Sequence, residues 1–334
     1  MNKSRPNIAI VGATGAVGKK LLQVLEQRKF PVGDIILLAS ERSSGKQLKF
    51  KNRIQTVRKL GKESFKNVSI SFFCAGSEIS RKYADTAVKS GSIVIDNSSA
   101  YRNDDKVPLI VPEINPGDIK FHHGIISNPN CTTAIMLTVL NPIHRFSAIK
   151  RVSASTYQSV SGAGERGVCE LKDQIKAVSR GQDTEAEVFT HRIVNNIIPH
   201  IGEFESDGYT KEELKMLNET KKILHDRNIK ISATCVRVPV ISVHSMALTI
   251  ITKDDIDVQQ IRKILKDAPG VIILDDAKNN SYPMPLNCAD RYECFAGRIR
   301  KDMAFKNGIS MWVCGDQLLK GAALNAVQIA ELVL

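Results

Sequence analysis

The first 130 residues alternate short apolar runs with amphipathic stretches. NIAIVG reads as a buried strand, and VGKKLLQVLEQ as a helix with Val17, Leu21, Leu22 and Leu25 on one face. DIILLAS, VSISFFCAG and SIVIDNS supply further strands, with RKYADTAVKSG as a helix before the last. Such alternation predicts a parallel sheet covered on both faces by helices. After residue 131 the pattern changes. CTTAIMLTVLNPIHRF predicts a helix, and IKRVSASTYQSV, ISATCVRVPVISVHSMALTII and RYECFAGRIRKD predict longer strands. The middle one alternates with period two, which points to a largely antiparallel sheet in an α+β second domain. Helices are expected at 165–180 and 210–226, and QLLKGAALNAVQIAELVL closes the chain as a helix. Residues 200–210, around GEFESDG, are the most loop-like insertion, and there is no internal repeat, low-complexity tract or long linker.

Length supports the division, since 334 residues exceed a comfortable single core. Apolar residues at 43% and charged residues at 25% are ordinary for a soluble enzyme. No apolar run approaches the roughly 20 residues that span a bilayer. The N-terminus begins basic like a signal peptide, but glycines interrupt its apolar part and no cleavage-like end follows, so it reads as a strand and turn. The seven cysteines are scattered, odd in number and without metal-ligand spacing. A disulfide framework or metal site is therefore not expected, and a reducing, cytoplasmic setting is. The net charge of +12 suits nucleic acid or phosphorylated small molecules equally. Dispersed basic residues with few aromatics between them favour the small molecules. A nucleic-acid-binding protein would betray itself by steeply salt-dependent affinity.

Gly12, Gly15 and Gly18 form GATGAVG between the first strand and first helix. Glycines there let backbone N–H groups approach a pyrophosphate, and the helix N-terminus adds partial positive charge. Gly12, Thr14, Gly15, Ala16 and Val17 are thus candidate cofactor contacts in a Rossmann-like domain. The spacing alone also occurs in purely structural turns. The second strand ends LLAS, followed by ERSSGK. Ser40, Arg42, Ser43 and Lys46 suit a 2′-phosphate and hence NADP, whereas Glu41 pointed inward would repel it. The alternative is a solvated turn.

Cys131 follows Pro129 and Asn130 at the start of an apolar helical run, and Asn is a favoured N-cap. Unpaired N–H groups and the helix dipole there favour the thiolate, which is the form that attacks carbonyls. Cys74 at a strand end, and Cys235 and Cys294 within strands, lack this setting.

GATGAVG, IDNSSAYR, SNPNCTT, TYQSVSGAG, ATCVRVPV with a following HS, FAGRIRKD and LLKGAALNAVQIAE occur in an order that resembles aspartate-semialdehyde dehydrogenases across essentially the whole chain. SNPNCTT with TYQSVSGAG carries the most specificity. The resemblance implies NADP-dependent reductive dephosphorylation of L-aspartyl-4-phosphate to L-aspartate-4-semialdehyde. It places the chain in lysine, threonine, methionine and diaminopimelate biosynthesis. Cys131 would form a thioester, His244 would be the acid/base, since imidazole titrates near neutrality, and Gln158 would orient the reacting carbonyl. His200 and His225 are weaker competitors for the histidine role. Arg237 would bind the α-carboxylate with its planar fork, Arg102 the phosphate, Glu212 the ammonium and Lys215 the phosphate. Glu212 and Lys215, three apart, share a helical face whatever their role. Arg237 and His244 are seven apart, so one uninterrupted strand would point them to opposite faces. A bend around Pro239 must intervene if both line one site. Ser161, Gly162 and Gln317 resemble cofactor contacts, and Gly321 suggests close packing against the nucleotide domain. The resemblance also implies that 315–334 returns to a nucleotide domain of 1–130, leaving 131–314 for catalysis and dimerisation, in a homodimer or homotetramer.

Some positions depart from the family pattern: Met246 after His244 and Ser245, Gln317 where asparagine is frequent, and Arg192 where glutamine is. N-acetyl-γ-glutamyl-phosphate reductase shares the chemistry, but typically has glycine before its nucleophile and an aromatic residue after it. Asn130 and Thr132 stand there in this chain. Glyceraldehyde-3-phosphate dehydrogenase differs more, in its cysteine context and its C-terminal pattern.

Overall fold

The run Ile8–Val11 forms strand β1, buried along its whole length, in a computed structural model that describes residues 5–334. The basic start of the chain, residues 1–4, lies outside the described residues. Helix α1 (Ala16–Gln27) buries Leu21, Leu22, Val24 and Leu25, as its periodicity indicates, while Val17 is half-buried. There follow β2 (Ile35–Ala39), β3 (Gln47–Phe50), β4 (Arg53–Thr56), β5 (Arg58–Lys59) and β6 (Ile70–Phe73). Helix α2 (Ser77–Lys89), β7 (Ile93–Asp96) and β8 (Ile125–Ser127) complete this part. β3 and β4 pair as a separate antiparallel hairpin, and the remaining six strands form one parallel sheet ordered β5-β2-β1-β6-β7-β8. The strand order reverses between β1 and β6, where sheets of this Rossmann-like kind open a ligand crevice at their carboxyl ends.

The second unit begins with α3 (Cys131–Phe146), β9 (Ile149–Gln158), α4 (Glu165–Ser179) and α5 (Lys211–Ile223). A capping box starts α5, with Thr210 Oγ1 accepting from the Glu213 N–H and the Glu213 carboxylate accepting from the Thr210 N–H. Next come β10 (Lys230–Arg237), β11 (His244–Thr252), α6 (Val258–Lys266), β12 (Val271–Ile273) and the single turn α7 (Pro285–Cys288). The last strands are β13 (Cys294–Lys301) and β14 (Gly308–Gly315). The sheet order is β10-β9-β11-β14-β13-β12. The three central pairings are antiparallel and the two outermost parallel, so the sheet is mixed with an antiparallel centre. Helices α3, α5 and α6 pack on one face, against which β9 buries Val152, Ala154, Thr156 and Gln158. Ser153, Ser155 and Tyr157 of the same strand point to the opposite face, with Ser232, Thr234, Ala247 and Trp312 from its neighbours. That face carries the single turn α7, whose Cys288 clusters with Cys314 and Trp312, while α3, α5 and α6 lie on the other.

The long apolar segment 231–251 is not one strand. It divides into β10 and β11, which lie on either side of β9. The expected return at 315 also falls later. One unit runs to Asn130 and resumes at Ala322–Leu334, and the other is Cys131–Gly321. Asp316 holds the chain back by accepting the Leu318 and Leu319 N–H groups just after β14. A π-helical turn at Leu319–Ala323 then leads into α8 (Leu324–Val333), which belongs to the first unit. There Arg28 of α1 pairs with Glu331 at 2.6 Å, and Asn325 donates to Asn128 Oδ1 at 2.6 Å.

Two glycines separate backbone cost from steric cost. Gly12 (φ +85°) and Gly45 (φ +83°) share the left-handed conformation, but a Cβ on Gly12 would lie 2.6 Å from the Cys74 carbonyl oxygen, whereas one on Gly45 would meet nothing within 4 Å. Alanine at either position should cost roughly 1–2 kcal/mol for its backbone. Gly12→Ala should lose a further 1–3 kcal/mol or so by overpacking. Urea unfolding of both variants checks this, and equal losses would mean that the Gly12 turn yields freely.

Candidate active site

The ladder register of the mixed sheet builds one end of the second unit. Arg237, the last residue of β10, stands opposite Gln158, the last residue of β9. β11 runs the other way, with Ser245 opposite Tyr157, so its first residue His244 continues the same row. Residues opposite one another share a face, so Arg237, Gln158 and His244 project together, and all are buried. The connection 238–243 makes this possible by crossing the end of β9, where Val160 and Ser161 donate to the carbonyls of Val240 and Ile241. The odd spacing of Arg237 and His244 thus ends on one face because they sit on different strands.

Each member of the row is tied. Arg237 Nη1 donates to the Ser159 carbonyl at 2.6 Å, and its guanidinium lies over the Phe189 ring at 5.8 Å. Burial pulls its pKa below the ordinary arginine value, opposed by the negative charges of Glu212 and Cys131. Gln158 accepts from Thr156 Oγ1 at 3.0 Å and donates to Glu212 at 3.3 Å. Glu212, on the first turn of α5, also receives Lys215 at 3.0 Å. His244 Nδ1 faces the Ser159 N–H at 3.2 Å and Ser159 Oγ at 3.1 Å. Its Nε2 is buried with no hydrogen-bond partner. Gly162 covers this spot, since a Cβ there would stand 2.7 Å from Arg237 Nη1 and 3.4 Å from His244 Nε2.

Cys131 is the first residue of α3 and only half-buried. The helix start is crowded from one side, because a Cβ on Gly321 would lie 2.6 Å from the Cys131 Cβ. Gly321 therefore packs against the cysteine of its own unit. Cys235, one layer in from Arg237, is fully buried, and burial pushes its thiol up. It is a poor nucleophile for that reason.

In the first unit the glycine loop has the geometry of an anion cradle. Gly15 N-caps α1 without a side-chain bond, which leaves the helix N-terminus to a ligand. Gly12 abuts Cys74 and Ala75 at the carboxyl end of β6, on the opposite lip of the switch point. Ser40, Glu41 and Arg42 are exposed in a short 3-10 turn after β2, and Ser43 is buried. Glu41 forms an ion pair with Lys59, whose strand β5 pairs with β2 at Ala39. Arg102 is buried in this unit, donating to the carbonyls of Asn128 and Asn97 at 2.9 Å each.

Family profiles fit both units. Residues 7–122 match the NAD binding domain of semialdehyde dehydrogenases, and residues 140–320 match the dimerisation domain. The chain is 54% identical to the aspartate-semialdehyde dehydrogenase of Aquifex aeolicus, covering 97% of each. It is 46% identical to that of Bacillus subtilis, covering 97% of this chain and 96% of the relative. The crystal structure of aspartate semialdehyde dehydrogenase II from Vibrio cholerae complexed with ASA superposes with a TM-score of 0.96 at 42% identity, covering 99% of this chain and 98% of that one. The chain belongs to the aspartate-semialdehyde dehydrogenase family. Within this family member, seven expected site residues share the second unit around the sheet end: Cys131, Gln158, Gly162, Glu212, Lys215, Arg237 and His244. Ser161 and Gln317 stand in the same unit, bonded to each other at 2.5 Å. Arg102 and the glycine-loop residues belong to the first unit.

Sequence reasoning passed over Ser159, which touches both His244 and Arg237, and Ala75 and Gly76 on the lip facing Gly12. Small residues directly after a strand, as in SFFCAGS and TYQSVSG, were the available signal. His225 lies outside this row, at a left-handed position after α5, and His200 stacks on Phe204 with centroids 4.3 Å apart.

Imidazole titration near neutrality is not what this environment gives. Burial, helped by the Arg237 charge, pushes the His244 pKa down to about 3 from 6.5, so the buried ring is neutral. The unfolded chain takes up this proton as pH falls below 6.5 and the folded chain does not until about 3. The stability contribution is therefore complete above 6.5 and declines between those limits, by about 1.4 kcal/mol per pH unit at most. His244→Asn should flatten the fall in unfolding free energy between pH 6.5 and 5. Parallel pH profiles for variant and wild type would show that His244 is not buried neutral.

Proposed function

We propose that this chain catalyses the NADP-dependent reductive dephosphorylation of L-aspartyl-4-phosphate to L-aspartate-4-semialdehyde through a thioester on Cys131. The observation that carries this is the row Arg237–Gln158–His244 in the unit whose helix α3 begins at Cys131. The Cys131 thiolate attacks the acyl carbon, the C–O bond to phosphate breaks, and a thioester remains. Bound NADPH supplies the hydride that reduces this thioester. The resulting hemithioacetal expels the Cys131 sulfur and releases the aldehyde. His244 serves as a neutral donor, presenting Nε2–H to the oxygen on which negative charge develops. Gln158, pinned by Thr156 and Glu212, orients the carbonyl.

Arg237 takes the α-carboxylate, Glu212 the ammonium, and Lys215 and Arg102 the phosphate. A buried cation beside a buried carboxylate matches a zwitterionic amino acid, since each end of the substrate replaces solvent with an opposite charge. Gly12, Thr14, Gly15, Ala16 and Val17 cradle the pyrophosphate. Ser40, Arg42 and Ser43 take the 2′-phosphate. Glu41, the one feature against NADP, is engaged by Lys59, which sets a positive charge beside it. The face of the mixed sheet opposite α3, α5 and α6, within the family's dimerisation domain, supports a homodimer or a homotetramer built from it. No helix among the described residues is long and apolar enough to cross a membrane. We place the enzyme in the cytoplasm, in the pathway to lysine, diaminopimelate, threonine and methionine.

Mixing the protein with aspartate-semialdehyde, phosphate and NADP should generate NADPH absorbance. Silence there, with turnover of N-acetylglutamate semialdehyde, would move the substrate to the longer acyl phosphate. Cys131→Ala should lower kcat by more than about a thousandfold and abolish active-site labelling by a thiol reagent. Surviving turnover would rule out the covalent route. Arg237→Lys should raise KM for aspartate-semialdehyde by about tenfold, because the two-pronged fork is lost. An unchanged KM would remove Arg237 from the carboxylate.

A further inference from the structure

Val243 is β-branched and fully buried, yet it holds a left-handed φ of +76° immediately before His244. Backbone of this kind costs roughly 1–3 kcal/mol and persists only where its surroundings hold it. Gln317 holds it here, because Gln317 Oε1 accepts the Val243 N–H at 2.8 Å. A backbone N–H can only donate, so this bond settles which end of the amide is oxygen. The other end, Nε2, donates to Ser161 Oγ at 2.5 Å. Ser161 Oγ lies 3.2 Å from Ser159 Oγ, which lies 3.1 Å from His244 Nδ1. Each hydroxyl has one proton. Ser161, having accepted from Gln317, passes its proton's bond to Ser159, and Ser159 passes its own to Nδ1. The Ser159 N–H points at the same nitrogen from 3.2 Å. Nδ1 therefore accepts, and the ring proton resides on Nε2. All five residues of the chain are buried, so water does not compete for these bonds.

We propose that Gln317, Ser161 and Ser159 are positioning residues that act through His244, fixing its Nε2–H tautomer and the aim of its ring. Gln317 and Ser161 thereby serve the histidine, with each end of the Gln317 amide bonded inside the protein. The opposite tautomer would present a lone pair at Nε2, where the proposed reaction requires a donor. The strained turn at Val243 fits this role. Relaxing it would swing the Cα of the very next residue and tilt the imidazole out of the row with Gln158 and Arg237. The inference rests on the reaction proposed above for its kinetic consequence, but the tautomer itself is observable without turnover.

Nitrogen-15 NMR of the full-length protein labelled on histidine distinguishes protonated from unprotonated ring nitrogens. Wild type at neutral pH should show His244 protonated at Nε2 alone. Ser159→Ala and Gln317→Met should show a mixture of tautomers. They should also lose about tenfold in kcat, the worth of one buried hydrogen bond, while KM for aspartate-semialdehyde stays within about twofold. Ser159→Thr, which keeps the hydroxyl, should recover both the signature and the rate. A wild-type spectrum and rate in Ser159→Ala would overturn the proposal. So would a raised KM for NADP with an unaltered tautomer, which would return Gln317 to the cofactor. If Gln317→Met does not fold, Ser159→Ala, which removes a single buried oxygen, decides alone. A wild-type protein that shows the expected spectrum but no turnover of aspartate-semialdehyde would sink the proposed reaction and leave the hydrogen-bond chain standing.

Discussion

The register of β9 against its two neighbours is the constraint on which the reactive end of the second unit depends. Strand side chains alternate between faces, so a slip of one residue would move a whole row to the other side. Such a slip in β9 would send Gln158 to the face opposite α3, α5 and α6 and bring the half-buried Tyr157 ring to the position it left. The alternation of Val152, Ala154 and Thr156 beneath the helices, against Ser153 and Ser155 on the other side, prevents it. Burial of apolar groups far from the chemistry thus sets the alignment of groups within it. The parallel pairing of β10 and the antiparallel pairing of β11 bring Arg237 from a strand's end and His244 from a strand's beginning to the same edge.

The polar residues on that edge are expensive to bury. Arg237 is shifted by burial against its charged form, and His244 is held neutral for the same reason. Glu212 partly repays the cost by facing Gln158 and Lys215 and by lying close enough to support the Arg237 charge. A carboxylate and a guanidinium buried near one another, with Lys215 already at the carboxylate, stabilise folding little. The same balance explains why Gln158 is held at both ends: a buried amide with one end loose would cost more than it contributes.

Much of this was readable in the linear pattern. Leu21, Leu22 and Leu25 marked the inner face of α1, Asn130 and the apolar run marked the start of α3, and GATGAVG marked the first turn. These are local signals, confined to a few successive residues. What escaped was non-local. Segment 231–251 alternates continuously, and nothing in its periodicity says that β9 will lie between its halves. Only the physical conflict between the seven-residue spacing and a shared face hinted at the break near Pro239. The chain's return at 322 instead of 315 depends on Asp316 and Gln317, whose partners lie along the turn after β14 and near Ser161 and Val243. The partner of Glu41 was equally hidden, since Lys59 sits on another strand, eighteen positions away in the sequence.

Both units solve one geometric problem in the same way. A helix N-terminus is useful only if something can reach it, and a side chain on the neighbouring backbone would block the approach. Gly12 removes that obstruction where the chain turns toward α1, and Gly321 removes it where the chain passes Cys131 at the head of α3. In the first unit the freed N-terminus can meet an anionic ligand, and in the second it is where Cys131 stands. Glycine is required at these two points by a close approach that any Cβ would contest, from a carbonyl oxygen in one case and from the Cys131 Cβ in the other. These two residues contribute no functional group, and they owe their place to the close packing beside the helix starts.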